Sequence, residues 1–547
     1  MPAVSRITER LLGLPPALTR DVEVRRGLTV PMSDGVELAA DLYLPRRVPG
    51  APTVLVRSPY GRRGWVALLA GRTFAERGYQ VLVQAVRGTE DSGGEFDPFG
   101  DERRDGLDTL AWLEKEPWFN GRVVTFGPSY LGYAQWALAP DAGDRISAMA
   151  PFVTASQFRD QTYLGGAFTL RGCLSWSTMM ARQRSGGLRA RSQGLFGGRR
   201  LERAFGLLPL NEADTAVLGE AVPWFREWLE HSEPDDPYWV PERDHRARVA
   251  EITAPVSMVG GWHDLFLASQ LEDYRALRDA GRDPRLTVGP WSHMSPGLFG
   301  AAVRDALEWF AVCLRGEPRR EASVRLYVQG AEEWRDYADW PPPAAPTAFH
   351  LHRGGVLAVD EPEESPPSAF TYDPADPTPG AGGPLLGPGA GPRDQREIEE
   401  RSDVLLFTSA PLAEDLEVIG PVSARVYLRS DSGHTDLLVR LCDVDARGRS
   451  VNVCDGLRRL VPDPASAAGG AREAVEVAVE MWPTAYRFRA GHRIRVQVAS
   501  GSHPRFARNT GGGEPLGSAT RLVVQHQEVL HDPEHPSAVL LPLAARA

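Results

Sequence analysis

The sequence of 547 residues lacks the features that mark membrane and secreted proteins. It has no apolar run long enough to span a bilayer. Its first ten residues carry charges of both signs, and the leucine segment over residues 11–16 is short and interrupted by proline, unlike the core of a secretory signal. We therefore expect a cytoplasmic protein that does not bind a membrane.

Cysteine is also scarce. The four cysteines, Cys173, Cys313, Cys442 and Cys454, show no C-x-x-C spacing, and most lie in apolar stretches. Cys442 and Cys454 could face each other on adjacent strands, but the pattern favours reduced, structural thiols. No zinc site is indicated, and we expect neither a metal nor another cofactor.

An excess of basic charge is absent too. The net charge is −11, the isoelectric point is near 5.7, and the arginines are scattered among acids, which disfavours nucleic-acid binding. What is present is ordinary for a globular protein, with 42% hydrophobic and 24% charged residues. The length predicts two or three domains. The sequence leaves open whether the protein forms a homo-oligomer.

Strand-like and helix-like segments alternate through the first part of the chain. Val54-Leu-Val56 and Tyr79-Gln-Val-Leu-Val-Gln84 predict buried strands, and the amphipathic segment 65–77 between them predicts a helix. Before them, residues 21–44 predict a hairpin around a Ser33-Asp34-Gly35 turn. This order is typical of an α/β fold with a mostly parallel sheet.

The alternation stops near residue 150, and the pattern beyond it divides the rest of the chain. Helix-like segments with loops over 150–252 predict an inserted helical cap, so we expect 1–149 and 253–318 to form one α/β domain. About eight short strand-like runs within 319–547 predict a β-sandwich or jelly roll. The Pro- and Gly-rich stretch 360–392 predicts a long loop within it.

Ser129 lies at a predicted junction between a strand and a helix, in the stretch Gly127-Pro-Ser-Tyr-Leu-Gly132. Such a turn holds a serine hydroxyl out at the top of a sheet, as in the nucleophile elbow G-x-S-x-G. Here Leu131 occupies the second glycine position and the glycine follows at Gly132. Because Gly, Pro and Ser also dominate ordinary turns, this motif alone leaves a simple turn open.

Two later segments supply the partners that a nucleophilic serine needs. Gly261-Trp-His-Asp264 and Gly289-Pro-Trp-Ser-His293 each follow an apolar strand, and in open parallel sheets the carboxyl ends of the strands carry the chemistry. A histidine base and an orienting carboxylate would activate the hydroxyl. The chain order Ser129, Asp264, His293 is that of α/β-hydrolases.

These motifs, together with three amino-terminal blocks, resemble the CocE/NonD hydrolases, the group of cocaine esterase and X-prolyl dipeptidyl peptidase. The blocks are Pro31-Met-Ser-Asp-Gly-Val-Glu-Leu-Ala-Ala-Asp-Leu-Tyr43, Arg57-Ser-Pro-Tyr60 and Val86-Arg-Gly88. The resemblance implies an α/β-hydrolase domain with a cap, a carboxyl-terminal β domain, and a Ser-His-Asp triad.

Further site residues follow from the motif and the resemblance. Tyr130, directly after the nucleophile, can donate its backbone N–H to the oxyanion. The resemblance assigns a tyrosine hydroxyl to the same task, and Tyr60 is the matching position. Trp176, Phe266 and Trp291 are candidates for the acyl pocket because they lie in the cap or next to triad residues, although aromatic side chains more often pack in a core.

The leading hypothesis is therefore a serine esterase, acting on a small-molecule ester or amide through an acyl-enzyme. An alternative within the family is an X-Pro dipeptidyl peptidase or an α-amino acid ester hydrolase or acylase. Such enzymes must hold a substrate ammonium, yet the residues after Asp264, Leu265-Phe-Leu-Ala-Ser269, include no acid. This absence favours the esterase, although a Glu or Asp from the cap could still serve. A non-catalytic carbohydrate-binding or scaffold protein is a third hypothesis, and the three triad motifs argue against it.

Overall fold

The computed structural model describes residues 2–185, 198–462 and 473–544. The chain divides into two compact units. The first contains Met1–Arg159, Glu233–Arg325 and Asp336–Ala338, and the second contains Asp160–Ser232, Leu326–Arg335 and Asp339–Ala547.

A twisted, mostly parallel sheet forms the centre of the first unit. Eight strands of this sheet lie wholly within the unit: β1 (Val22–Pro31), β2 (Glu37–Pro45), β3 (Thr53–Ser58), β4 (Gln80–Ala85), β5 (Val123–Pro128), β6 (Ile146–Phe152), β7 (Ser257–His263) and β8 (Arg285–Ser292). They lie in the order β1-β2-β4-β3-β5-β6-β7-β8, in which β1 and β2 are antiparallel and the strands from β4 to β8 are parallel. This order confirms the predicted α/β fold.

Helices lie before, between and after these strands. They are α1 (Pro2–Leu11), α2 (Glu102–Leu113), α3 (Tyr130–Ala142), α4 (Leu267–Asp279) and α5 (Pro296–Arg315), with a further helical run over Gly64–Val66, Ala67–Arg72 and Thr73–Ala75 whose middle part is a π-helix. Every residue of β3, β4, β5 and β7 is buried, as expected for strands covered on both faces. Two more strands, Val324–Val328 and Glu333–Tyr337, carry the chain across the boundary between the units.

The second unit is mainly β. Its large sheet has 11 strands, nearly all antiparallel to their neighbours. They are Ala344–His352, Val356–Ala358, Ser368–Tyr372, Leu405–Thr408, Leu416–Ser430, Thr435–Val444, Ser450–Leu460, Val475–Phe488, Arg493–Ala499, Gln525–Leu530 and Ala538–Ala544. A separate carboxyl-terminal all-β region is thus confirmed. The stretch predicted as a long loop, 360–392, contains the strand Ser368–Tyr372, which pairs with Gln525–Leu530.

The inserted segment is helical as predicted, but most of it belongs to the second unit. Its helices are Arg159–Thr162, Leu170–Ser185, Ala213–Leu218, Pro223–Glu230 and residues 198–204. A short hairpin, Tyr163–Leu164 with Ala167–Phe168, joins the β region, because Arg459 N donates to Gly165 O (2.8 Å) and Ala507 N to Phe168 O (2.8 Å). The structure therefore groups residues 160–232 with the β region, whereas we predicted a separate cap over 150–252.

Two further features bear on the sequence-based expectations. All four cysteines are free thiols. Within the described ranges, no helix combines the length and the apolarity needed to cross a bilayer.

Candidate active site

Ser129 lies on the tight turn between β5 and α3, as predicted. Its backbone angles, φ 53° and ψ −126°, are ones that residues other than glycine rarely adopt, and such strain is concentrated at functional sites. The turn is fixed on both sides, since Ser129 N donates to Phe152 O (3.1 Å) and Thr154 Oγ1 donates to Ser129 O (2.7 Å). The serine side chain is half-buried at the start of the helix.

Two glycines make this turn sterically possible. A Cβ on Gly127 would lie 2.4 Å from Leu131 Cβ, and one on Gly132 would lie 2.3 Å from Thr154 Cγ2. Both distances are far shorter than a van der Waals contact. The glycine that follows Leu131 thus lets the first turn of α3 approach the loop after β6, which accounts for the departure from G-x-S-x-G in this chain.

Asp264 and His293 form a buried hydrogen-bonded pair. Asp264 directly follows β7 and is 0% exposed, and His293 directly follows β8 and is 5% exposed. His293 Nδ1–H donates to Asp264 Oδ2 over 2.6 Å, while Phe266 N donates to Asp264 Oδ1 over 2.8 Å. With Nδ1 as the donor, Nε2 carries the lone pair that a general base needs.

All three predicted triad residues therefore follow strands of one sheet at their carboxyl ends. Ser129 follows β5, Asp264 follows β7 and His293 follows β8, and these strands are separated only by β6. In open α/β sheets this edge is where ligands bind. The arrangement has the parts of an acyl-transfer site: an elbow serine, an imidazole, and a carboxylate that fixes the orientation of the imidazole.

The two predicted oxyanion donors lie at the ends of adjacent strands. Tyr60 follows β3, is half-buried, and donates its backbone N–H to Ser58 Oγ over 3.1 Å. Its ring centroid is 6.0 Å from that of Trp65. Tyr130 is the first residue of α3, where backbone N–H groups point out of the helix end.

The side chain of Tyr130 has a structural role that we did not foresee. Its hydroxyl donates to Glu102 Oε1 (2.8 Å) and accepts from Phe99 N (3.1 Å), and Glu102 is paired with Arg57 Nη1 at 2.8 Å. Burial raises the pKa of Tyr130 well above its ordinary value. Burial also raises the pKa of Glu102, against the opposing effect of Arg57. The phenol is thus a neutral anchor under the elbow.

The three candidate pocket aromatics lie in different surroundings. The Phe266 ring is buried beside the imidazole of His293, with ring centroids 5.6 Å apart. Trp291 folds over its own loop, since a Cβ on Gly289 would lie 2.5 Å from its ring. Trp176 belongs to the second unit, where it stacks on Trp228 at 5.8 Å. The assignment of all three to the acyl pocket stays a prediction.

A metal site does not emerge from the side chains that the structure describes. Within them, no group of three or more His, Cys, Asp or Glu residues is arranged to hold an ion. The expectation that the protein needs no metal stays a prediction.

Comparison with known proteins identifies relatives of both parts of the chain. Residues 34–295 match the family model of X-Pro dipeptidyl-peptidase (S15 family), and residues 317–540 match the X-Pro dipeptidyl-peptidase C-terminal non-catalytic domain. A cocaine esterase of Rhodococcus sp. (strain MB1 Bresler) is 34% identical, covering 96% of this chain and 99% of its own.

Solved structures show the same fold. An aminopeptidase from a marine sediment archaeon, Thaumarchaeota archaeon, superposes with a TM-score of 0.81 at 23% identity, covering 97% of this chain and 99% of its own. An α-amino acid ester hydrolase gives the same TM-score at 21% identity, over 97% of this chain and 98% of its own.

The cocaine esterase matches over nearly its full length, and the two family models match consecutive parts of a chain whose elbow serine and histidine–aspartate pair follow strands of one sheet. Together these findings show that this protein belongs to the CocE/NonD family of serine hydrolases.

Proposed function

We propose that the protein is a serine esterase that cleaves carboxylic esters through Ser129, His293 and Asp264 and an acyl-enzyme. The observation that carries the proposal is the buried bond of 2.6 Å between His293 Nδ1 and Asp264 Oδ2, at the sheet edge that also presents Ser129. That bond leaves Nε2 as the base, and the strained elbow presents the hydroxyl as the nucleophile.

In the first half of the reaction, His293 Nε2 takes the proton of Ser129 Oγ as the oxygen attacks the ester carbonyl. The carbonyl oxygen becomes an oxyanion, which accepts hydrogen bonds from the Tyr130 backbone N–H and the Tyr60 hydroxyl. Asp264 stabilises the imidazolium without taking its proton. Collapse of the intermediate breaks the bond to the alcohol, which leaves with the proton from Nε2.

The second half repeats the cycle with water. Nε2 takes a proton from a water molecule, whose oxygen attacks the acyl carbon, and the same two donors stabilise the new oxyanion. Collapse releases the carboxylic acid and returns the proton to Ser129 Oγ. No cofactor takes part in these steps, and the substrate we propose is a small-molecule ester or amide.

Neutral acyl esters are the substrates that the site favours. The residue beside His293 is the apolar Phe266, and both oxygens of Asp264 are already used by His293 and by the Phe266 N–H. The five residues directly after Asp264, Leu265 to Ser269, include no acid to hold an ammonium. A buried ammonium without a carboxylate would lose several kcal/mol in desolvation.

The second candidate is cleavage of X-Pro peptides or α-amino acid esters, or an acylase activity. It is supported by the match of residues 34–295 to the S15 peptidase family.

We also propose a cytoplasmic location for the protein, which its free thiols support, and we expect that it binds neither nucleic acid nor membrane. A homo-oligomer stays open.

The test combines two variants with a substrate panel. Ser129→Ala should lower kcat for p-nitrophenyl esters by about 10⁴-fold or more and abolish labelling by a fluorophosphonate probe. Tyr60→Phe should lower kcat by about 10²-fold with little change in KM. Ser33→Ala, at an exposed serine of the β1–β2 hairpin, and Tyr79→Phe, before β4, serve as matched controls.

Three outcomes would contradict the proposal. Unchanged turnover in Ser129→Ala would remove the serine mechanism. An effect of Tyr60→Phe confined to KM would make Tyr60 a pocket wall. More efficient cleavage of an X-Pro anilide than of every neutral ester in the panel would replace the esterase by the peptidase.

A further inference from the structure

An arginine two residues after Tyr60 is buried among three carboxylates. Arg62 is 1% exposed. Its Nη1 donates to Asp41 Oδ1 (2.7 Å), its Nη2 to Asp91 Oδ2 (2.6 Å) and its Nε to Glu90 Oε2 (3.0 Å). All three guanidinium nitrogens therefore donate a hydrogen bond to a carboxylate.

The backbone of the same loop is bonded to one of these carboxylates. Arg62 N also donates to Glu90 Oε2, over 3.1 Å. A Cβ on Gly61 would lie 2.4 Å from Glu90 Oε1, so the glutamate carboxylate closes directly over the residue between Tyr60 and Arg62. Gly61 has φ 93° and Glu90 has φ 47°, a left-handed conformation that is costly for a glutamate.

These contacts connect the Tyr60 loop to the sheet and to the next loop. Asp41 lies in β2, is 1% exposed, and also accepts from Gly27 N of β1 over 3.0 Å. Glu90 and Asp91 belong to the loop after β4. Arg62 therefore fixes the chain after β3 to two other strand regions.

The energetics favour a positioning role over a purely stabilising one. Burying an arginine and an aspartate has a large desolvation cost, and apolar side chains of similar size often stabilise a fold as well or better. A fork with three fixed partners gives a single geometry instead. An oxyanion donor needs a single, fixed geometry, because a displacement of about 1 Å can lower turnover by about 10²-fold.

We propose that Arg62 and Glu90 are positioning residues that hold the Tyr60 hydroxyl at the oxyanion. This inference rests on the proposed function, in which Tyr60 is a donor. It extends that function, because it assigns the orientation of the donor to a charged clamp formed by residues from two other strand regions.

A double-mutant cycle tests the inference. Arg62→Lys keeps the charge but cannot reach three carboxylates, and Glu90→Ala removes the acceptor of both the Arg62 N–H and Nε. We expect each change to lower kcat for a neutral p-nitrophenyl ester by about tenfold or more with KM little changed. In the Tyr60→Phe background each should lower kcat by less than about twofold, because the positioned hydroxyl is gone.

Arg285→Lys is the matched control, because Arg285 is also a buried arginine of this unit, paired with Asp305 at 3.1 Å at the start of β8. It should lower the melting temperature and leave kcat unchanged. Glu90→Gln, which keeps one acceptor oxygen, should recover part of the kcat lost in Glu90→Ala. If Arg62→Lys does not fold, Glu90 alone carries the cycle, since its side chain is 28% exposed.

The outcomes separate this inference from the proposed function. Equal losses in the wild-type and Tyr60→Phe backgrounds, or an equal loss in Arg285→Lys, would overturn the positioning role while an inactive Ser129→Ala still supports the esterase. Full activity of Tyr60→Phe would overturn both the inference and the donor role of Tyr60, while an inactive Ser129→Ala would still support the serine esterase. Activity in Ser129→Ala would instead overturn the proposed function.

Discussion

Asp273 gives a prediction about pH that the structure supports in detail. It lies on α4, is 4% exposed, and accepts two hydrogen bonds from one residue, from Ser156 N to Oδ2 (2.8 Å) and from Ser156 Oγ to Oδ1 (2.6 Å). Burial, against those two bonds, raises the pKa of Asp273 to about 7 from an ordinary 3.8. Glu272 and Asp244 add smaller upward contributions.

The number of protons bound at Asp273 in the folded and unfolded states determines how stability changes with pH. Between pH 3.8 and about 7 the folded protein binds more protons at Asp273 than the unfolded chain does, so the free energy of unfolding decreases as the pH rises. The stability that the neutral carboxyl contributes is complete below pH 3.8 and is lost as the pH passes through about 7. The pKa difference corresponds to roughly 4 kcal/mol at most.

The assay compares wild type with Asp273→Asn between about pH 4.5 and 8.5. Asparagine imitates the protonated carboxyl, because its oxygen can accept from Ser156 N and its amide can donate to Ser156 Oγ. The variant should become more stable relative to wild type as the pH rises, by roughly 3 kcal/mol over this range, with most of the change between about pH 5 and 8. In melting temperature, the difference should widen by roughly 5 °C or more.

In the stability difference between the two proteins, the contributions of the other titrating groups cancel. His245 donates its backbone N–H to Ser156 O (3.0 Å), and burial lowers the pKa of its imidazole to about 4. Its stability effect has the opposite sign, present above pH 6.5 and lost as the pH falls through about 4. Both proteins contain His245, so it cancels. A melting difference that stays constant across the whole pH range would refute the reasoning for Asp273.

Two further predictions concern the elbow. Tyr130→Phe should lower stability by about 1–3 kcal/mol, because Glu102 loses a buried donor, yet keep kcat within a few-fold, since catalysis uses the backbone N–H; a loss of kcat in a fully folded variant would contradict this. Gly132→Ala should lower kcat, and it should lower the free energy of unfolding by about 1–3 kcal/mol and with it the melting temperature, because the added methyl group would lie 2.3 Å from Thr154 Cγ2. Gly172→Ala, a helical glycine whose nearest neighbour would be 3.9 Å away, should be neutral or stabilising in the same assays.

The sequence was sufficient for elements whose residues agree with their environment. The hairpin β1–β2 and strands β3 and β4 follow from alternation and apolar runs. Strand β6 did not, because Ile146-Ser-Ala-Met-Ala-Pro-Phe152 contains two alanines and a proline, which are uncommon in strands. It is a strand because β5 pairs with it along its length, from Val123 with Ile146 to Pro128 with Phe152.

The predicted site divides in the same way. Ser129, Asp264 and His293 each belong to a short motif of neighbouring residues, and the structure places each at a strand end as expected. The partners that hold the site do not form motifs. Arg62 meets Glu90 across 28 residues, and the sequence does not say which acid of many an arginine will bind.

The bonds at this end of the sheet differ in kind from those at its centre. Strands β3, β5 and β7 are buried throughout and are held by backbone hydrogen bonds to neighbouring strands and by apolar packing. At the carboxyl ends of the strands, charge-assisted hydrogen bonds between side chains are added: Arg62 with its carboxylates after β3, and Asp264 with His293 after β7 and β8. Because such bonds need charged partners, catalytic geometry in this protein should respond to charge substitutions that leave the sheet folded.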